Sequence, residues 1–477
     1  MIARLLRHEW RVLRADATVW VVGVVFAAAI GYAMVNGVRW VAFVRHAESA
    51  ATAEESERYA QMQAQIDALQ RDRKPVAPFG DPRNPTMFGS RFGPRYAMLP
   101  PAPLAAVAIG QSDLLPSYFK VSTDARETIV GASEIENPHR LLVGRFDLAF
   151  VIVFLYPLLI LAVTYNMLSS EKEQGTLALA LAQPVGLGTL TIGKVIVRAL
   201  VLVGVVVGVS MIALVSGGAS LGAPGAIARI GLWMGVVAAY GGLWFALAVL
   251  VASFGRPSAT NATIVATLWL LLVVMLPSLF NLLATTIHPV PSRVEMIQAV
   301  RVASDEAAGA GSALLARYYE DHPELATGGA EQAMNDFNII RVAVDDDVAK
   351  RARPVVDRYE RQLARQQTMI DRLRFLSPAV LMQDALNDVA GTGVPRHRHF
   401  LAQVDRYHAQ WRGFVVPLIF QKTRVTNADL APRFEYQEEA TAAVVRRVLI
   451  AVLGMVIPAV LMAFIGLRRL RRYPVVG

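Results

Sequence analysis

No cysteine occurs in the sequence, so a disulfide framework, thiol catalysis and thiolate metal sites are all excluded. Charge is scarce as well. Only 18% of the 477 residues are Asp, Glu, Lys or Arg, against 54% hydrophobic, and the mean hydropathy is +0.41. That balance is wrong for an average soluble domain and fits an integral membrane protein. The formal net charge of +9 suggests nucleic acid as a partner, but the excess sits in short segments, while two long polar regions are each near neutral. Short basic segments are what the positive-inside rule counts, so the expected surroundings are a lipid bilayer and not nucleic acid. No HExxH pair is present to support a membrane metalloprotease.

Three patterns come close to site chemistry and stop short. Gly188, four residues, Gly193 and Lys194 nearly spell a phosphate-binding loop, but Val195 stands where a Mg²⁺-holding Ser or Thr is required, and the stretch runs into an apolar helix. ATP binding by this chain is not expected. His397, His399 and His408 invite a metal reading, yet His397 and His399 point to different sides of a helix and Arg398 stands between them; a solvated loop edge is expected, with no metal. Asp345, Asp346 and Asp347 lack the turn glycine of a calcium loop. With Lys350, Arg351 and Arg353 nearby, they read as a solvated helix face with ion pairs across one turn.

What is abundant is apolar sequence in lengths that match a hydrocarbon core of about 30 Å at 1.5 Å per residue. Residues 1–17 place Arg4, Arg7, Arg11 and Arg14 three or four apart, with Ile2, Leu5, Leu6, Trp10 and Leu13 on another face. This is the pattern of a basic amphipathic helix lying among headgroups, and no small-residue cleavage site follows to suggest a signal peptide. Six spans are expected, at 18–38, 146–168, 193–217, 229–254, 261–284 and 446–467. The amino-terminal arginines and the tail Arg468, Arg469, Arg471 and Arg472 set both ends on the cytoplasmic side. Arg446 and Arg447 fall at the outer edge of the last span, where snorkelling is expected, and Arg145 and Asp147 read as boundary residues of the second. Residues 39–145 and 287–441 then lie outside. The first begins as a helix without Gly or Pro from Trp40 to Arg73, then carries eight prolines from Pro75 to Pro103, which predict an extended, surface-hugging loop; Tyr118, Phe119 and Val121 suit a short strand. The second reads as an arm of antiparallel helices with a small core of its own. The fold expected is an all-α polytopic membrane protein of six transmembrane helices, with two large, mainly helical extracytoplasmic insertions after helices 1 and 5.

Between the second and third spans, residues 169–192 form a short polar island. Leu148 to Leu168 before it is 21 residues without a charge, and after it only Arg198 interrupts the run to about Ser216. Glu171, Lys172, Glu173, Gln174, Gly175, Thr176 and Leu177, then Gln183-Pro184-Val185, then Gly193-Lys194 opening an apolar helix, predict a short helix lying across the cytoplasmic end of a bundle. This segment resembles the signature of type-two ABC exporter permeases. The stretches beginning DPRNPTMFGSRFGPRY at Asp81 and SPAVLMQDALNDVAGTG at Ser377 are similar to a Gram-negative subfamily with enlarged extracytoplasmic inserts of unassigned role.

The resemblance implies an inner-membrane location and a coupling helix seated on a separate cytoplasmic ATPase. It implies two copies of that subunit, with ATP and magnesium bound there and no cofactor in this chain. It also implies a second permease, identical or sister, and leaves room for a periplasmic partner. The chain itself is then not an enzyme. A second reading, force passed to periplasmic partners with no cargo crossing the membrane domain, fits the large outer regions equally well.

Overall fold

The computed structural model describes residues 2–15, 17–72, 77–110, 112–126, 146–183, 185–216, 222, 225–290, 293–322 and 336–473. Arg145, Pro184, the loop residues 217–221 and 223–224, the helix start expected at Glu331, and residues 474–477 lie outside them, as does the side chain of Arg4. The chain is nearly all helix. Among the described residues, six helices are long and apolar enough to cross a membrane. They are α2 (Ala17–Asp72), α3 (Leu148–Glu173), α5 (Leu187–Ser216), α6 (Ala226–Ala252), α7 (Ser258–Ile287) and α13 (Thr441–Leu470). Ahead of them lies α1 (Ile2–Ala15), and between α3 and α5 sits α4 (Thr176–Leu181).

The first span and the helix expected beyond it are one rod. α2 runs 56 residues without a break, about 84 Å at the usual helical rise, so it reaches well past any bilayer. Nothing in 39–72 ends it, because that stretch holds neither Gly nor Pro.

Inside the bundle α6 is the most enclosed helix, with Trp233, Val236, Val237, Tyr240 and Trp244 all fully covered. α3 and α7 each contain one π-helical turn, Val151–Leu155 and Leu270–Met275, with Pro157 and Pro277 shortly after. A proline withholds one N–H from the helix, so carbonyls go unpaired where no water is at hand to satisfy them. Neighbouring side chains supply the missing donors. Tyr240 Oη donates to the Val153 carbonyl at 2.8 Å, Trp269 Nε1 to Phe154 at 3.2 Å, and Ser377 Oγ to Leu272 at 2.8 Å.

The last of these donors belongs to a helix expected outside the bundle. After α8 (Arg293–Gly309), α9 (Gly311–Asp321) and α10 (Phe337–Leu373), the chain turns back as α11 (Pro378–Ala390). Ala379, Leu381, Met382, Ala385, Leu386 and Val389 join the same core as α3, α6 and α13. The second region is therefore not an arm clear of the membrane bundle. Its apolar run PAVLM seats it among the spans.

The outer regions differ from expectation in a second way. From Asp81 onward the proline-rich stretch is not a surface loop but is largely buried in a domain that both regions build together. Asn84 caps the short turn Pro85–Met87, the chain passes through a π turn at Phe88–Phe92, and β1 (Arg95–Met98) pairs antiparallel with β2 (Tyr118–Val121), Arg95 opposite Val121. Phe88 is fully buried and stacks on Trp411 of α12 (Val394–Phe420), ring centres 5.9 Å apart, while Trp411 Nε1 donates to the Gly89 carbonyl. Tyr59, Met62 and Ile66 of α2, Leu315 of α9 and Ile339 of α10 complete that core. Asp346 and Asp347 pair one turn on with Lys350 and Arg351, as the sequence indicated, whereas Asp345 pairs one turn back with Arg341 and lies in a partly buried position and not on a solvated face.

Candidate functional site

The polar island closes one end of the bundle. Gly175 takes a left-handed backbone (φ 71°), which a side chain disfavours, and this reversal separates the end of α3 from α4. Leu177 points inward and is buried with Leu168, Leu190, Ala252, Leu470 and Tyr473, so α4 rests on α3, α5, α6 and the end of α13. Gln174, Gly175, Thr176, Ala178 and Leu179 face outward, and Leu179 is 72% exposed.

The island's charges are engaged internally. Lys194 is 4% exposed, and its Nζ lies 2.7 Å from Glu171 Oε1 and 3.2 Å from Glu9 Oε1. One buried cation thus joins the island, α5 and α1. Gly193, next to it, lets α1 approach: a Cβ there would meet the Leu5 side chain at 2.6 Å. Glu173 accepts from the Ser258 backbone N–H at 2.7 Å and from its hydroxyl at 3.0 Å, so it caps the first turn of α7. Lys172 lies over the Tyr473 ring at 5.9 Å. Gly188 and Gly193 sit inside α5, in helix and not in a loop. Arg7, Arg11 and Arg14 on α1 and Arg468, Arg469, Arg471 and Arg472 at the end of α13 are exposed around this same end.

Residues 293–437 match DUF3526, a domain of unknown function. The match runs from α8 through α12 and so takes in α11 inside the bundle and most of the second outer region. No curated protein matches the chain.

At the opposite end lies a second charge cluster, absent from the sequence expectations. Arg447 lies 3.1 Å from Asp388 of α11 and 2.6 Å from Glu439; Arg396 lies 2.8 Å from Glu438 and also donates to the Pro100 carbonyl; Arg229 donates to the Val389 carbonyl at 3.0 Å. Arg447 is thus held by two carboxylates at the end of its helix away from the island and has no need to reach for water. Asp147, on the boundary of α3, is held by backbone: its carboxylate accepts the N–H groups of Phe150 and Ile109, both at 2.8 Å, and so caps the start of α3.

The three histidines sit on α12 and not on a loop edge. His397 is 8% exposed and packs at 6.0 Å from the Phe400 ring. His408 contacts the Asp124 carbonyl and His399 the Gln437 carbonyl. Burial pushes the His397 pKa down to about 4. Among the described residues no group of His, Cys, Asp and Glu is arranged to hold a metal ion.

Glu9 was the residue to find in the sequence. It falls between Leu5 and Leu13 at helical spacing, an acid within the apolar face of a helix otherwise rich in arginine. Such an acid implies a buried cation nearby. The cation's location on α5 is not written in any local pattern.

Proposed function

We propose that this chain is the permease subunit of an ATP-driven exporter in a bacterial inner membrane, and that α4 is the surface on which a separate ATP-binding subunit pushes. One observation supports this above the others: α4 exposes Leu179 at the polar end of the bundle while its opposite side is fastened to four helices. An apolar side chain left open at a site framed by arginines fits a protein partner. Movement of α4 would pass through Glu171 to Lys194 and α1, through Glu173 to α7, and through Leu177 to α13. In this reading two ATPase subunits, holding ATP and magnesium, act on two permeases. Closure shifts the equilibrium between permease conformations only as far as the ATPases bind one of them better.

A second reading has its own support. α2 continues unbroken from the bundle into the outer domain, so motion at the island end has a rigid route outward without any cargo passing between permeases.

Leu179→Glu is the test. Glu173 is a poor probe because it caps α7, so its replacement disturbs the bundle itself. With Leu179→Glu, co-purification of an ATP-binding subunit from native membranes should fall about tenfold, with thermal stability of the chain unchanged. Undiminished retention removes α4 as the docking surface.

A further inference from the structure

A cavity of about 690 Å³ opens beside α2 at the end of the bundle away from the island. Its volume lies in the range of small-ligand pockets. Trp40 and Phe43 of α2 form one wall, and Leu114, Leu115 and Phe119 form another. Phe43 lies 26 positions beyond Ala17, about 39 Å along the helix, and so just past the far edge of a hydrocarbon core of about 30 Å.

Two features give the cavity a direction and a chemistry. The first is a stripe on α2. Val21, Val25, Tyr32 and Phe43 fall within about 40° of one another around a 3.6-residue helix. They are 62 to 69% exposed, so an uncovered apolar track leads from the depth of the span to the cavity mouth. Arg39, also exposed, lies on this side of the helix between Tyr32 and Phe43, at the level of headgroups. The second feature is at the turn following α11. Thr392 Oγ1 is buried without a hydrogen-bond partner, His397 is buried with no partner for its ring nitrogens among the described residues, and both line the cavity. Native interiors rarely leave an enclosed hydroxyl such as that of Thr392 unpaired, while the His397 ring nitrogens are not fully enclosed and stay open to a ligand in the cavity. A neutral imidazole and a hydroxyl each have one hydrogen to donate. Arg396, beside them, is already taken by Glu438 and the Gly391 and Pro100 carbonyls, so the inner wall offers neutral donors and no spare cation. Lys120, on the same cavity, has no carboxylate within ion-pair distance among the described residues.

We propose that this cavity binds a membrane glycerophospholipid from the outer leaflet, with an acyl chain drawn in past Phe43, an ester carbonyl accepting from Thr392 and His397, and the phosphate beside Lys120. The carboxylates of Asp113 and Asp124, which also line the cavity, disfavour a free anion as the main occupant, and the neutral inner donors match ester carbonyls. The proposal does not depend on an ATPase partner.

The test places the full chain in nanodiscs containing phosphatidylcholine with a photoreactive diazirine near the end of one acyl chain, and maps the adducts by mass spectrometry. Adducts are expected on the peptides containing 40–44 and 114–118 as well as on the stripe at Val21 and Val25. The double variant Thr392→Val, His397→Leu should lower the cavity adducts about fivefold, the effect of losing hydrogen bonds of ordinary strength, and leave the stripe adducts unchanged. Leu115→Trp fills the space from a half-exposed position and should lower the same adducts by blocking access. The proposal is overturned by adducts confined to the stripe, or by cavity adducts that neither variant reduces. It is equally overturned if the cavity stays unlabelled while the Phe43 peptide cross-links to a second copy of the chain, because the cavity is then part of an interface between chains. Absence of any ATP-binding subunit in the Leu179→Glu experiment leaves this result untouched.

Discussion

Lys194 is the residue on which the island depends most. Its ammonium is buried between Glu9 and Glu171, and removing one member of such a group leaves the others charged and unpaired, at a cost of about 3 kcal/mol or more. Lys194→Ala should therefore lower the melting temperature strongly and release α1 to proteolysis. Lys194→Met combined with Glu9→Gln should recover much of the loss, and no recovery would mean that the pair contributes little. Asp345 gives a pH-dependent counterpart in the outer domain. Burial, reinforced by the charge of Asp124 and opposed by Arg341 and Arg412, raises its pKa to about 6. The folded protein then holds a proton that the unfolded chain, titrating near the ordinary 3.8, has already released. Stability attributable to this group falls as pH rises between those two values. Asp345→Asn cannot ionise, so melting curves should show the variant gaining on wild type from pH 4 to pH 6 and holding a constant lead above; a constant difference throughout would contradict the shift. The signal that set these residues apart in the sequence was partial. Ion pairs one turn apart follow from spacing alone, whereas the partners that Lys194 finds in Glu9 and Glu171, and Arg396 in Glu438 and the Pro100 carbonyl, come from elements far away in the chain.

At the scale of elements, the apolar helices were legible because a run of twenty uncharged residues identifies itself without reference to any partner. The ends of these runs were less legible. α5 begins at Leu187 and not at Gly193, and α13 extends from Thr441 to Leu470, because backbone hydrogen bonding continues past the point where apolar composition stops. Proline was misleading in both directions. From Ala77 to Pro103 it rules out any long helix, but it carries no information on burial, and Phe88 and Ala97 of the stretch share a core with α12. The helix from Ala379 to Val389 was legible but its place in the bundle was not: thirteen residues are too few to read as a span, yet enough to fill a space that six longer helices leave. A close approach that only glycine permits holds the other side. A Cβ on Gly37 would meet the Ala106 carbonyl oxygen at 2.0 Å, so Gly37→Ala must force the turn Ala105–Val107 away from α2. The expected cost is about 1–3 kcal/mol, with faster proteolytic cleavage between residues 99 and 117 and normal cleavage elsewhere. If cleavage there stays slow, the turn has another anchor.

For the whole molecule, the two outer regions cannot be treated as separate appendages. Phe88 from the first and Trp411 from the second share one core, so Trp411→Ala should cost about 3–5 kcal/mol and expose both regions together. Hydrogen exchange provides the measurement: protection should be lost around residues 85–98 and 400–419 in the same transition, while α5 and α6 retain theirs. Loss confined to one region would divide the domain. It also follows that the stretch from 293 to 437 does not form a complete unit, since its core borrows Phe88, Phe119 and three side chains of α2.

The side-chain donors at the π turns limit how this bundle can change shape. Tyr240, Trp269 and Ser377 reach carbonyls at fixed heights along α3 and α7, and sliding either helix by one residue would strand those carbonyls in hydrocarbon. α3, α6, α7 and α11 are thereby laced into a frame that moves as one piece or not at all. α5 lacks lacing of this kind among the described residues and presents much of its length outward, whereas α2 is tied to the start of α3 by Asn36 Nδ2, which donates to the Phe146 carbonyl at 3.1 Å. α5, joined to its neighbours at the island end through the Lys194 cluster, is then the span least bound by such donors when the bundle changes shape.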